Sequence, residues 1–148
     1  MVVASASGKV ILCGEHAVVY GRPAIAVPVS DVRATAKVTP SNAGSGIVVE
    51  ARDLGQTFRL DEPHESDTAR ALLTTVRNTL EHLGIPPEGQ DLYISVRSQI
   101  PIARGMGSGT AVATAMARAL AQYYDRHLTA RAVSDLVYRT EIILHGNP

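Results

Sequence analysis

The chain has 148 residues, 45% of them hydrophobic and 19% charged, with fourteen basic residues balancing fourteen acidic ones. That size suits one domain with its own core, the composition excludes a disordered tail and a multi-span membrane protein, and the balanced charge excludes non-specific binding to nucleic acid or an anionic membrane. Any polyanion this chain binds must be gripped locally.

In chain order, the first sixty residues read as strands. Apolar runs at Val10–Cys13 and Ala24–Val29 are followed by the alternating stretch Arg33–Val38, then by Ile47–Ala51 and Gln56–Leu60. Gly21-Arg22-Pro23 and the Pro40–Gly46 loop separate them, which predicts antiparallel pairing of neighbours. The single cysteine, Cys13, has no intrachain partner and reads as a small buried hydrophobe within its apolar run. From Thr68 the period becomes helical: Ala69, Leu72, Leu73, Val76, Leu80 and Leu83 share a face, with Ser66 or Asp67 as N-cap and Gly84 as stop. Leu92, Ile94 and Val96 alternate with polar residues as a half-buried strand, an alanine-rich helix runs from about Ser108 to Tyr124, and Thr129 caps a last helix carrying Val133, Leu136, Val137 and Leu144. The expected fold is a single α+β domain over residues 1–148, a mostly antiparallel sheet with helices packed on one face. Met1–Ala6 lacks the basic and apolar regions of a secretory signal, and no segment approaches the ~18 apolar residues of a membrane span, so a cytoplasmic location is expected.

Three stretches carry chemistry. Pro101-Ile102-Ala103-Arg104-Gly105-Met106-Gly107-Ser108-Gly109-Thr110-Ala111 joins a strand to a helix. Alternate glycines permit positive φ and let main-chain N–H groups face inward, and a helix N-terminus attracts phosphate. The same glycines also suit a plain strand-to-helix turn. The stretch lacks the Gly-Lys-Ser/Thr ending of a P-loop, and the preceding strands do not alternate with helices as a dinucleotide fold requires. The second stretch, Gly8–Gly21, places Lys9, Glu15 and His16 around an apolar strand, where they read equally as an edge charge and solvated loop residues. In the third, Glu141 and His145 are four apart on one helix face before Gly146-Asn147-Pro148, a spacing that also describes a surface pair.

Together these stretches resemble the GHMP small-molecule kinases, within them most closely the mevalonate kinases. Gly8-Lys9-Val10-Ile11-Leu12-Cys13-Gly14-Glu15-His16-Ala17-Val18-Val19-Tyr20-Gly21 is similar to that group's first motif, where a galactokinase would show Glu-His-Thr-Asp, and Pro101–Ala111 is similar to the family's phosphate-binding motif. The resemblance implies an ATP- and Mg²⁺-dependent kinase acting on the mevalonate hydroxyl. It implies that Pro101, Arg104, Gly105, Met106, Gly107, Ser108, Gly109, Thr110 and Ala111 wrap the ATP phosphates, that Glu141 ligates Mg²⁺ with help from Ser108, that Lys9 is catalytic beside the reacting oxygen, and that Glu15 and His16 bind substrate. Two departures matter. Gly109 stands where the family offers Mg²⁺ a serine hydroxyl, so Ser108, Thr110 or water takes that place, and Ser7 replaces a usual proline. The resemblance also implies a proton-accepting aspartate shortly past Pro148, a third glycine-rich motif and a C-terminal domain, none within these 148 residues. The chain alone is therefore expected to show no appreciable kinase activity, and to self-associate through the face that domain would cover. The alternatives are another member such as phosphomevalonate kinase, or a non-catalytic nucleotide-binding half that needs a partner chain.

Overall fold

The computed structural model describes residues 1–101 and 105–145, the side chains of 143–145 excepted. Five strands, β1 (Val2–Cys13), β2 (Ile25–Pro40), β3 (Ile47–Ala51), β4 (Gln56–Arg59) and β5 (Leu92–Ser98), form one sheet in the order β1-β2-β5-β3-β4. Among the described residues three α-helices, α1 (Asp67–His82), α2 (Ser108–Tyr123) and α3 (Ala130–His145), and two single-turn 3₁₀ helices, Val18–Tyr20 and Arg52–Leu54, complete the fold. The alternation read in the sequence puts Ala34, Ala36, Val38, Ile47, Val49, Leu92, Ile94 and Val96 on one buried face. Helices α1 and α2 close that face with Val76, Leu80, Met116 and Leu120, while α3 packs on α1 and α2. The alanines of α2 (Ala111, Ala115, Ala119) face a sheet whose β1 and β2 positions are also alanine, so helix and strands approach closely.

The sheet is mostly antiparallel, as expected, but β2 and β3 are not partners. β5 inserts between them, antiparallel to β2 (Ala34 opposite Ser98) and parallel to β3 (Ile47 opposite Leu92). The apolar run at 24–29 and the alternating stretch at 33–38 belong to a single strand with a bulge: Ser7 pairs with Arg33 but Gly8 pairs with Val29, leaving residues 30–32 unpaired. Beyond this break β1 and the start of β2 continue as a two-stranded ribbon, because β5 accompanies β2 only from Ala34 onward. Cys13, at the tip of that ribbon, is exposed rather than buried, and so is Leu12. An apolar run does not bury itself where no helix covers it.

The helix boundaries follow the local signals. The Ser66 hydroxyl accepts from Ala69 N–H at 3.3 Å, and Gly84 (φ +71°) ends α1 with Ile85 N–H on Leu80 C=O and Gly84 N–H on Glu81 C=O. The Thr129 hydroxyl accepts from Ala132 N–H at 3.1 Å, starting α3. Among the described residues no helix is long and apolar enough to cross a membrane.

Candidate active site

Between the end of β5 and the start of α2 the chain turns through glycines that the backbone requires. Gly105 has φ +68° and Gly107 φ +66°, both in the left-handed region that a Cβ disfavours. Gly107 is the N-cap of α2 and makes no side-chain hydrogen bond, and the first helical bond runs from Ala111 N–H to Gly107 C=O at 2.9 Å. The amides of Ser108, Gly109 and Thr110 therefore open the helix without a capping side chain over them. Free amides at the positive end of a helix dipole are a geometry that can bind an anion. Gly109 differs from its neighbours: it lies inside α2 without a positive φ, so two of the three alternate glycines, not all three, are conformational necessities.

β1 meets this turn from the side. Lys9 N–H donates to Met106 C=O at 3.0 Å, and a Cβ on Gly8 would come within 3.3 Å of that same oxygen and of Val32 Cγ2. Glycine at position 8 lets strand and turn touch. The Lys9 side chain lies along Gly107, whose added Cβ would meet Lys9 Cγ and Cε at 3.3 Å each. Two glycine motifs far apart in sequence thus form one junction, with a lysine laid against the N-cap of a helix.

A cavity of about 490 Å³ opens beside the turn. Its walls come from Asp53 and Leu54 after β3, Thr68, Ala71 and Thr75 of α1, the end of β5, Gly105–Gly109, and Thr140 and Glu141 of α3. Most of the lining is apolar, which suits a flat ring system, and the polar groups are few. Ser98 and Ser108 place their hydroxyls 3.3 Å apart, Ser98 N–H donates to the Asp53 carboxylate, and Arg97 stands 4.0 Å from Asp53. Oε1 of Glu141 is shielded from solvent. Among the described residues no three His, Cys, Asp or Glu side chains are grouped to hold a metal by themselves. Glu141 and Ser108 are nonetheless hard oxygen donors on one cavity, a set that fits Mg²⁺ shared with phosphate oxygens and water.

The structure thus brings together Lys9, Met106 and Gly107 in direct contact, and Met106 and Gly107 with Pro101, Gly105, Ser108, Gly109 and Glu141 around the cavity, which Lys9 itself does not line. Thr110 and Ala111 follow in the first turn of α2. Glu15 and His16 are exposed on the turn beyond Cys13, which itself lies about 13 Å along the strand from Lys9, and they do not line the cavity. Arg104, Ile102, Ala103 and Gly146–Pro148, and the side chain of His145, lie outside the described residues. Asp53, Thr68, Thr75 and Arg97 were missed by sequence reasoning, since each belongs to an element with an ordinary pattern and only tertiary packing gathers them.

The profile of the GHMP kinases N terminal domain matches residues 70–148. A mevalonate kinase of Thermococcus sibiricus is 36% identical over 154 residues, covering 98% of this chain and 46% of its own length. The crystal structure of the Methanococcus jannaschii mevalonate kinase superposes with a TM-score of 0.84 at 28% identity, over 98% of this chain and 47% of that one. That of L. major mevalonate kinase in complex with R-mevalonate gives 0.72 at 26% identity, over 100% of this chain and 44% of that one. The chain spans about half the length of the relatives it matches.

Proposed function

Since the chain belongs to the GHMP kinases, we propose that it forms the N-terminal, ATP-phosphate-binding half of a mevalonate kinase site. The observation that carries this reading is the junction itself: Lys9 N–H on Met106 C=O and the Lys9 stem on Gly107 put a lysine beside a glycine-formed helix N-terminus, and Met106 and Gly107 in turn line the cavity that Glu141 lines.

In this reading the nucleoside occupies the apolar cavity, and the amides at the start of α2 bind the β- and γ-phosphates, as a helix N-terminus can. Glu141 and Ser108 would hold Mg²⁺, which when bound would neutralise charge on the phosphate oxygens. Lys9 does the chemistry available to a fixed ammonium. As the substrate hydroxyl oxygen bonds to the γ-phosphorus and the bond to the bridging oxygen of ADP breaks, negative charge on the attacking oxygen is stabilised by Nζ. Holding Lys9 by its own main chain and along its stem removes freedom before the reaction begins. The family resemblance assigns Glu15 and His16 to the acceptor substrate, which has to extend from Lys9 along the β1–β2 ribbon to meet them, and the hydroxyl proton goes to the aspartate that the resemblance implies.

The test separates binding from chemistry. Calorimetric titration of the chain with a non-hydrolysable ATP analogue and Mg²⁺ is expected to show binding, and its absence would sink the reading. In the full-length protein, Lys9→Met is expected to lower kcat for mevalonate phosphorylation by about a hundredfold or more while ATP binding changes little, in line with an electrostatic contribution confined to the transition state. Equal losses in both would contradict the role given to Lys9.

A further inference from the structure

Three polar side chains are buried among the described residues: Thr75, Thr79 and Thr140. Thr79 serves its own helix, its hydroxyl donating to Thr75 C=O at 2.6 Å. Thr75 and Thr140 instead meet between helices, their hydroxyl oxygens 2.7 Å apart across the α1–α3 contact. Proton accounting orders this pair. Thr75 donates to Ala71 C=O at 2.8 Å, which leaves its lone pairs to accept, and Thr140 has a much longer alternative in Leu136 C=O at 3.4 Å. Thr140 therefore donates to Thr75, and the acceptor is itself tied to the backbone of α1.

A buried hydroxyl pair offers little stability that two valines of the same shape would not. What it adds is direction. Apolar helix contacts tolerate small slides and rotations, and a rotation by one residue turns a helix side chain through about 100°. Thr140 is followed directly by Glu141, and both line the cavity together with Thr75.

We infer that the Thr140–Thr75 hydrogen bond is a positioning device that sets the register of α3 on α1, so that Glu141 presents its carboxylate to the divalent cation accompanying the nucleotide. This rests on the reading of Glu141 as the Mg²⁺ ligand. Thr75 and Thr140 touch neither metal nor phosphate in this account and act through Glu141.

The test uses the full chain, a non-hydrolysable ATP analogue and Mg²⁺. The Mg²⁺ concentration that half-saturates analogue binding is measured for wild type, Thr140→Val, Thr140→Ser, the Thr75→Val/Thr140→Val pair and Glu141→Gln, with thermal unfolding in parallel. Thr140→Val is expected to raise that concentration roughly fivefold, the scale of one net hydrogen bond, with metal-free analogue binding unchanged. Thr140→Ser, which keeps the hydroxyl, is expected to stay within about twofold. The double valine variant also removes the Thr75 oxygen that Thr140→Val leaves buried without its donor, and is expected to recover thermal stability without recovering Mg²⁺ response. A merely structural role predicts that both recover together, and that result overturns the inference. So does an unchanged Mg²⁺ response in Thr140→Val while Glu141→Gln loses it, with the proposed function left standing. If wild type shows no Mg²⁺-dependent binding, or Glu141→Gln keeps it, both readings fall.

Discussion

Gly107 and Gly109 are two residues apart, yet the structure asks different things of them. Gly107 holds φ +66° with the Lys9 stem where a Cβ would go, whereas Gly109 is inside α2 without a positive φ. Gly107→Ala is expected to cost about 1–2 kcal/mol from left-handed backbone strain, and to make the Lys9 stem, which a Cβ there would approach to 3.3 Å, give way slightly. In differential scanning fluorimetry that appears as a fall of roughly 2–8 °C, accompanied by weaker analogue binding. Gly109→Ser is expected to keep the fold, since serine is intrinsically a better helix residue than glycine, and to lower the Mg²⁺ concentration needed for binding if a hydroxyl there reaches the ion. A Gly109→Ser chain that unfolds as readily as Gly107→Ala would contradict the distinction. Both positions were legible as glycine-rich turn in the sequence, but which of them the backbone needs was not, because φ is set by how the turn docks against β1.

At the scale of elements, helix ends were the most legible feature because caps are local chemistry. Ser66, Gly84 and Thr129 act as their residue types suggest. The end of α2 shows what composition hides. Arg126 N–H bonds Ala121 C=O at 2.8 Å and Asp125 N–H bonds Gln122 C=O at 3.2 Å, the same closure as at Gly84, but with Asp125 at φ 53° in the left-handed seat. Asp125→Gly is therefore expected to stabilise by about 0.5–1 kcal/mol, read as a higher midpoint in denaturant titration without a change in slope. The loop after β2 is held by a different device. Asp91 accepts from Gly44 N–H at 2.9 Å and Gly46 N–H at 2.7 Å, and these backbone donors hold its carboxyl below the ordinary aspartate range. Glu50 on β3 is lowered likewise, chiefly by the Ser95 hydroxyl, which donates at 2.8 Å. A carboxyl depressed in the folded state contributes stability above its unfolded pKa and loses that contribution as pH falls through the folded value. Thermal midpoints are thus expected to be flat near neutrality and to fall below about pH 4, with Asp91→Asn showing a shallower fall than wild type. An identical acid limb in Asp91→Asn would remove the loop clamp from the account.

For the molecule as a whole, strand content and helix content followed from periodicity, while strand order did not. The alternation of Leu92, Ile94 and Val96 says that one face of β5 is buried, but nothing in it says that β2 and β3 will part to admit the strand. The same non-local gap explains the misreading of Cys13, since the register break at residues 30–32 decides where the sheet ends and the uncovered ribbon begins. The ribbon and the turn at its tip cluster exposed apolar side chains: Leu12 is 68% exposed, Val19 79% and Tyr20 83%, with Ile25 beside Cys13 in the pairing. Clustered apolar surface of this kind drives association, where singly scattered residues do not. The 148-residue chain is therefore expected to self-associate with rising concentration. The combined substitution Val19→Ser and Tyr20→Ser should shift it toward monomer in multi-angle light scattering, with little change in thermal midpoint because neither side chain belongs to the core. The thiol of Cys13, on the same ribbon, gives an independent readout: its reaction with a soluble disulfide reagent should slow as protein concentration rises and recover its rate in the serine variant. A clean monomer at high concentration, with Cys13 reacting at one rate throughout, would show that the exposed ribbon is tolerated as it stands.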